Sequence, residues 1–109
     1  MNLKNLLVLT VFSVLTFSIQ AQKNFMKEAD VDYKNESYFE ASQKYIKSAA
    51  KLKKKQDKAR AYYFAGECYR YMLNHEDAQK YYQKAIDLGY DNADPIVFKN
   101  NAEMMRQQG

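Results

Sequence analysis

The sequence is poor in the residues that form disulfides, turns and reactive centres: its 109 residues include one cysteine, one histidine, one proline, three glycines and no tryptophan. A single cysteine excludes an internal disulfide, so the fold must depend on helix packing. There is also no glycine-rich phosphate loop and no metal-ligand spacing. We therefore predict a protein that is not an enzyme and that has no cofactor or metal site.

Two residues could in principle carry chemistry, and each has a simpler interpretation. His75 is the one histidine, near a predicted turn between two helices, and has no Ser or Cys motif beside it. We predict that it belongs to the packing of that turn. Cys68 has no basic partner around it, so it is predicted to be a small residue at a helix margin and not a nucleophile.

The first 21 residues predict a secretory signal peptide. Lys4 precedes an uncharged run over residues 6–19, and Ala21 follows at a plausible cleavage position. The run is short for a membrane span; a buried helix and a retained membrane anchor are the alternatives. Cleavage would leave a single domain of residues 22–109 and remove the charge of Lys4, lowering the net charge from +4 to +3. That charge is too small by itself to indicate nucleic-acid binding.

Residues 59–92 carry two helical patterns in succession, with apolar and small residues at spacings of three and four. Gly89 is placed to end the second pattern. Gly66 and Ala78 lie in the middle of the two apolar faces, which predicts that the helices cross closely. The first pattern comprises Tyr62, Ala65, Gly66, Tyr69 and Leu73, and the second comprises Ala78, Tyr82, Ala85 and Ile86.

The preceding part of the chain repeats this pair. A helix is predicted over residues 23–35, and Ser37 with Glu40 forms the spacing of a capping box that opens the next helix. Ala29 precedes Gly66 by 37 residues, and Ala41 precedes Ala78 by the same 37, which indicates an internal repeat. The surplus over a 34-residue period is placed in the basic connection of residues 51–58, as a longer second helix or a wider loop.

A fifth helix is predicted from Asp94 and Pro95, an N-cap followed by a proline at the first helical position. Ala102 follows Gly66 by 36 residues, so the chain enters a third repeat. Its helix is apolar on much of its surface, and the ending RQQG is typical of a helix-to-helix turn. We expect a fragment of a longer protein, with a finished capping helix as the alternative.

These residues resemble the tetratricopeptide repeat, whose pattern matches Tyr62-x-x-Ala65-Gly66-x-x-Tyr69 followed by Ala78-x-x-x-Tyr82. The resemblance implies an all-α fold, a right-handed stack of antiparallel helix hairpins with about two and a half repeats: residues 22–58, residues 59–94 and residues 95–109. The predicted packing residues are Ala29, Ala41, Tyr45, Tyr62, Gly66, Tyr69, Ala78, Tyr82, Ala85 and Ala102.

In that family, the first helix of each pair lines a concave surface that binds a partner protein or peptide. On the helix of residues 60–74, the corresponding arc points away from the packing face, although an ordinary solvated face is the alternative. Tyrosine beside arginine is a common composition of binding surfaces. The predicted partner-binding residues are Met26, Asp30, Tyr33, Arg60, Tyr63, Glu67, Arg70, Tyr71, Lys99 and Glu103.

The whole chain also resembles the N-terminal part of certain Bacteroidota envelope proteins that begin with a signal ending in Ala-Gln, as at Ala21 and Gln22. Those proteins later add propeller and OmpA-like peptidoglycan-binding domains, and some serve type IX secretion. The resemblance implies a protein-interaction or scaffold module in the periplasm, or at the periplasmic face of the outer membrane, of a Gram-negative bacterium.

The basic residues 51–60 leave two alternatives open. They could bind anionic phospholipid, nucleic acid or an acidic partner. They could instead be a solvated loop whose cations complement the dipole of the preceding helix.

An alternative function for the whole protein is an accessory subunit of an envelope enzyme complex whose partner supplies the active site.

Overall fold

A computed structural model describes residues 25–90 and 95–108 of the chain. All regular structure in these residues is α-helical, in five helices. They are α1, helical over residues 25–34, α2 (Tyr38–Lys51), α3 (Lys55–Tyr71), α4 (His75–Asp87) and α5 (Pro95–Gln108). The predicted signal peptide of residues 1–21 and the predicted N-cap Asp94 lie outside the described residues.

The helices pack against their neighbours in sequence order, and consecutive helices within residues 25–90 are antiparallel. Residues later in α1 contact residues later in α3: Asp30 accepts a hydrogen bond from Arg60, and the Tyr33 ring contacts the Tyr71 ring. These two helices therefore lie side by side in the same direction, as the first helices of two nested hairpins must. The predicted all-α fold with stacked helix hairpins is confirmed.

Small side chains form the centre of the packing. Alanines at positions 29, 41, 49, 61, 65, 78 and 85 are fully buried, and Tyr45 and Tyr82 are the largest buried side chains. Gly66 lies where α3 crosses α4: an added Cβ atom would stand 2.7 Å from Cδ1 of Tyr82 and 3.1 Å from the backbone oxygen of Ala78. The helices thus approach too closely at this point for any side chain.

The other predicted packing residues, Tyr62, Tyr69 and Ala102, are half-buried. Tyr62 and Tyr69 both stack on Tyr81 of α4, with ring centroids 6.1 and 5.5 Å apart. Cys68 lies in the core and not at its margin, with no exposed surface. Burial, and then the nearby Glu67 carboxylate, raises the pKa of its thiol to about 12. The thiolate is the nucleophilic form, so Cys68 is chemically inert at neutral pH.

Three helices end in the same way. After α1, α3 and α4, one residue adopts a left-handed conformation: Glu36 (φ 63°), Leu73 (φ 64°) and Gly89 (φ 76°). The next amide then donates to a carbonyl five residues earlier, in the pattern of a Schellman motif. Glu36 and Leu73 are 37 residues apart, so the backbone repeats with the period of the sequence.

The predicted capping box at Ser37 and Glu40 is not formed. Ser37 is the N-cap residue of α2, but its side chain makes no capping hydrogen bond. Its backbone amide, which Glu40 would accept from in a capping box, already donates to the carbonyl of Asp32 at 2.8 Å. The end of α1 therefore uses the donor that the box requires. Asn74, which occupies the equivalent position before α4, does cap its helix by accepting from the amide of Asp77.

The basic connection is shorter than the sequence predicted. Only residues 52–54 separate α2 from α3, and residues 55–58 form the first turn of α3. Neither a longer second helix nor a wide loop at residues 51–58 is present. Lysine and glutamine are good helix formers and no glycine or proline interrupts them, so the helix starts as early as the packing allows.

Candidate partner-binding surface

One acidic residue on α1 (Asp30) and one on α3 (Glu67) each accept a hydrogen bond from a tyrosine on the second helix of the same hairpin. In the first hairpin, the Tyr45 hydroxyl of α2 donates to Oδ1 of Asp30 at 2.5 Å. Arg60 of α3 donates from Nη2 to both carboxylate oxygens of Asp30, at 3.1 and 3.2 Å, and lies 4.8 Å from the centroid of the Phe64 ring. One half-buried carboxylate thus joins α1, α2 and α3.

The tyrosine–carboxylate pair recurs 37 residues later, but here the arginine belongs to the same helix as the acid. The Tyr82 hydroxyl donates to Oε1 of Glu67 at 2.6 Å, and Nη2 of Arg70 donates to the other carboxylate oxygen at 2.7 Å. Nε of Arg70 also donates to the Tyr82 hydroxyl at 3.1 Å, which closes a three-membered network. Burial, and then the hydrogen bond to Glu67, raises the pKa of Tyr82 far above its ordinary value, so the hydroxyl remains a proton donor.

This network corrects the sequence-based position of Glu67, which was expected on an arc away from the packing face. The residue is 5% exposed and fully engaged within the fold. The reason is that Tyr82 crosses from α4 and places a hydroxyl donor beside the carboxylate, so a charged group can be buried with its partners. Glu67, and in part Arg70, therefore contribute to packing between α3 and α4.

An aromatic patch covers the adjoining ends of α1, α2 and α3; it consists of Tyr33, Tyr38, Phe64 and Tyr71. Tyr38 and Tyr71 stack with centroids 4.7 Å apart at 9°, and Tyr33 meets Tyr38, Phe64 and Tyr71 edge-on. The Arg70 guanidinium lies 4.6 Å from the centroid of the Tyr71 ring. Tyr71 is 48% exposed, whereas the other three rings are half-buried.

The remaining predicted partner-binding residues are spread over the same set of helices. Met26 and Arg60 line an open cleft of about 300 Å³ together with Leu52. Tyr63 is half-buried and its ring contacts those of Phe64, Tyr82 and Tyr90.

On α5, Lys99 and Glu103 are exposed. Glu103 pairs with Arg106 three residues later, the spacing that joins Glu67 to Arg70 on α3. The structure thus brings the predicted residues of α1 and α3 together, whereas those of α5 lie on a helix that packs against α4.

Tyr38 is not among the partner-binding residues predicted from the sequence. Tyr38 is the first residue of α2, so it lies beside the C-terminal end of α1 and reaches the same patch. The signal for this was the short turn at residues 35–37, which fixes where α2 begins.

A second feature that sequence reasoning missed is the joint between α4 and α5. His75 is 3% exposed and Asn101 is 1% exposed. Nδ2 of Asn101 donates to the His75 carbonyl at 2.9 Å and to Oε1 of Gln79 at 3.1 Å, while its Oδ1 lies 2.9 Å from Nδ1 of His75. Since Oδ1 is an acceptor, Nδ1 of His75 carries the proton. His75 therefore belongs to a structural contact between helices.

Neither a metal centre nor a membrane span is found in the part of the chain that the structure describes. No group of three His, Cys, Asp or Glu side chains in residues 25–90 and 95–108 is arranged to hold a metal ion. None of the described helices combines the length and the apolar character needed to cross a bilayer.

No protein-family model matches the chain, and neither does a curated protein or a solved structure.

Proposed function

We propose that the chain is a non-enzymatic protein-interaction module that binds a partner through the surface formed by its first helices, α1, α3 and α5. The observation that supports this is the exposure of Tyr71 within an ordered aromatic patch. Its ring is held between Tyr38 and Arg70, so binding would cost little side-chain entropy. Rigid tyrosines beside arginine are frequent energetic centres of protein interfaces.

The resemblance to the tetratricopeptide repeat supports the choice of surface. We propose that this chain is a module of that kind, since its first helices lie side by side and present Met26, Arg60, Tyr33 and Tyr71 on adjoining surface. The predicted signal peptide supports a location in a bacterial envelope. The partner would be a protein or a peptide segment, and apolar or aromatic side chains in it would fit the patch.

The direct test compares two exposed aromatic residues. Tyr71→Ala removes the most exposed ring of the aromatic patch, which is 48% exposed. Phe39→Ala removes a ring of α2 that is 60% exposed and has no ring contact among the described residues. We expect Tyr71→Ala to weaken capture of a co-purified partner roughly ten-fold or more. Phe39→Ala should leave capture unchanged, and circular dichroism should show the same helicity for both variants.

Arg70→Ala would be a poor test, because it also removes a partner of the buried Glu67 carboxylate and would destabilise the fold. Site-specific photo-crosslinking gives an independent reading. A crosslinker placed at position 71 or 99 should form discrete adducts with the partner, whereas one at position 39 should not. Equal adduct formation at all three positions would exclude the first-helix surface as the binding site.

The proposed location in the envelope has its own test. The chain would be expressed in a Gram-negative host, and its N-terminus determined after cell fractionation. We expect recovery in the periplasmic or outer-membrane fraction with Gln22 as the first residue. Recovery in the cytoplasm with residues 1–21 intact would contradict the proposal for export without affecting the proposal for the binding surface.

A further inference from the structure

A cluster of exposed lysines lies where α2 ends and α3 begins, and we refer to it as the lysine end. Residues 47–58 contain six lysines and a single acidic residue, Asp57. Lys51, Lys53, Lys54 and Lys55 are all exposed, and none of the ion pairs within the described residues involves them. Their charges are therefore not neutralised by the described part of the chain.

Helix dipoles do not account for the whole cluster. Lys51 occupies the last turn of α2, where a cation is favourable. Lys54 is the N-cap residue of α3, Lys55 is its first residue, and neither position favours a cation, since the positive end of the dipole lies there. The Lys54 side chain also makes no capping hydrogen bond. Lysines at these two positions cost stability, which suggests that they serve another purpose.

Antiparallel packing places the start of α1 at the same end of the molecule. Nζ of Lys47 lies 5.9 Å from the centroid of the Phe25 ring, and Phe25, Lys47 and Lys51 line one small hollow. The basic end of the molecule therefore also carries the Phe25 ring, which is 37% exposed.

We propose that the lysine end binds the headgroups of an anionic phospholipid surface. Several exposed lysines beside an exposed aromatic ring are the composition that such surfaces attract, at about 1 kcal/mol per lysine. The same charges could meet nucleic acid, but the predicted export and the exposed Phe25 ring favour lipid. The lysine end is formed by a different part of the chain from the aromatic patch, so this proposal does not depend on the proposed partner surface.

The experiment is flotation of the full chain with vesicles of phosphatidylcholine alone or mixed with phosphatidylglycerol. The zwitterionic vesicles measure binding that does not depend on lipid charge, and the difference between the two compositions measures binding by charge. We expect tighter binding to the anionic vesicles and a loss of that difference in high salt.

Two double variants with equal charge change decide where the lipid binds. K54Q/K55Q should weaken binding to anionic vesicles about thirty-fold, which is two lysines at about 1 kcal/mol each. K34Q/K80Q changes two exposed lysines outside the cluster and should change binding less than about three-fold. Because Lys54 and Lys55 oppose the dipole of α3, K54Q/K55Q should unfold at the same temperature as the parent or above it, so that lost binding cannot be assigned to lost structure.

Three results would overturn the proposal. They are equal binding to the two vesicle compositions, equal weakening by the two double variants, and binding to a short DNA duplex under conditions in which anionic vesicles are not bound. The last result would assign the lysine end to nucleic acid.

Discussion

The Tyr82 hydroxyl donates to the buried Glu67 carboxylate at 2.6 Å, and this relationship occurs twice in the described part of the chain. Tyr45 donates to Asp30 at 2.5 Å, and both pairs are separated by 15 residues in sequence. The acid belongs to the first helix of its hairpin and the tyrosine to the second. Each hairpin therefore contains its own polar contact in addition to the apolar packing.

The two pairs differ in burial, which predicts different costs of removal. The Glu67 side chain is 7% exposed and the Asp30 side chain 41%. Tyr82→Phe should lower the free energy of unfolding by about 1–3 kcal/mol, because the buried carboxylate loses a donor that water cannot replace. Tyr45→Phe should cost less, about 0.5–1.5 kcal/mol, since water reaches Asp30. Urea denaturation measures both values, and a larger loss for Tyr45→Phe would contradict this account.

Gly66 should tolerate no side chain. Gly66→Ala would place a methyl group 2.7 Å from the buried Tyr82 ring and 3.1 Å from the backbone of α4. We expect a loss of about 1–3 kcal/mol in the free energy of unfolding, although alanine is the better helix former. Thermal denaturation followed by circular dichroism measures the loss. An unchanged or raised melting temperature would show that the helices are farther apart than described.

Leu73 should be improved by glycine. It adopts φ 64° and is 70% exposed, so it bears the strain of a left-handed residue and buries little surface in return. Leu73→Gly should raise the free energy of unfolding by about 0.5–1 kcal/mol, the relief of strain exceeding the added entropy of the unfolded chain. Leu73→Ala is the control and should give no gain, because alanine keeps the strained conformation.

Asn101 should decide how firmly α5 is held on α4. Asn101→Ala removes three polar contacts and leaves Nδ1 of the buried His75 ring without its partner. Amide hydrogen exchange in α5 should accelerate roughly ten- to hundred-fold, while exchange in α3 changes little. The neighbouring Asn100 is exposed, so Asn100→Ala should have no such effect. Similar acceleration in both variants would show that the contact with His75 is unimportant.

Stability should fall in alkali, beginning with Cys68. Burial raises the pKa of its thiol from 9.0 to about 12. A raised pKa means that the unfolded state releases its proton first, so this stability is complete below pH 9.0 and is lost as the pH rises toward 12. The raised pKa values of Tyr45 and Tyr82 act in the same direction above pH 10.0. Urea denaturation at several pH values between 8 and 10 gives the free energy of unfolding as a function of pH. This free energy should fall less steeply with pH for Cys68→Ala than for the parent, and equal slopes would contradict the prediction.

The helices and their stacking could be predicted because they depend on spacing. Apolar and small residues at intervals of three and four fix a helix face, and the equal offsets from Ala29 to Gly66 and from Ala41 to Ala78 fix the repeat. These features survive small errors in helix boundaries. The start of α3 was misjudged, since lysines are compatible with both a loop and a helix.

The polar contacts could not be predicted with the same success. A sequence pattern assigns an acid such as Glu67 to the solvent side, and only three-dimensional packing shows that Tyr82 reaches it. One sign was present: Asp30 and Tyr45 precede Glu67 and Tyr82 by the same 37 residues. Asn101 offered a similar sign, since it occupies the position that Ala65 holds in the second repeat.

The short sequence separation of the two tyrosine–carboxylate pairs also bears on synthesis. A contact that spans 15 residues can close as soon as those residues have left the ribosome, long before the remainder of the chain has been made. The hairpin of α1 and α2 is therefore expected to acquire its polar contact first. The hairpin of α3 and α4 would then form against an existing neighbour, so the order of translation is also the order of assembly.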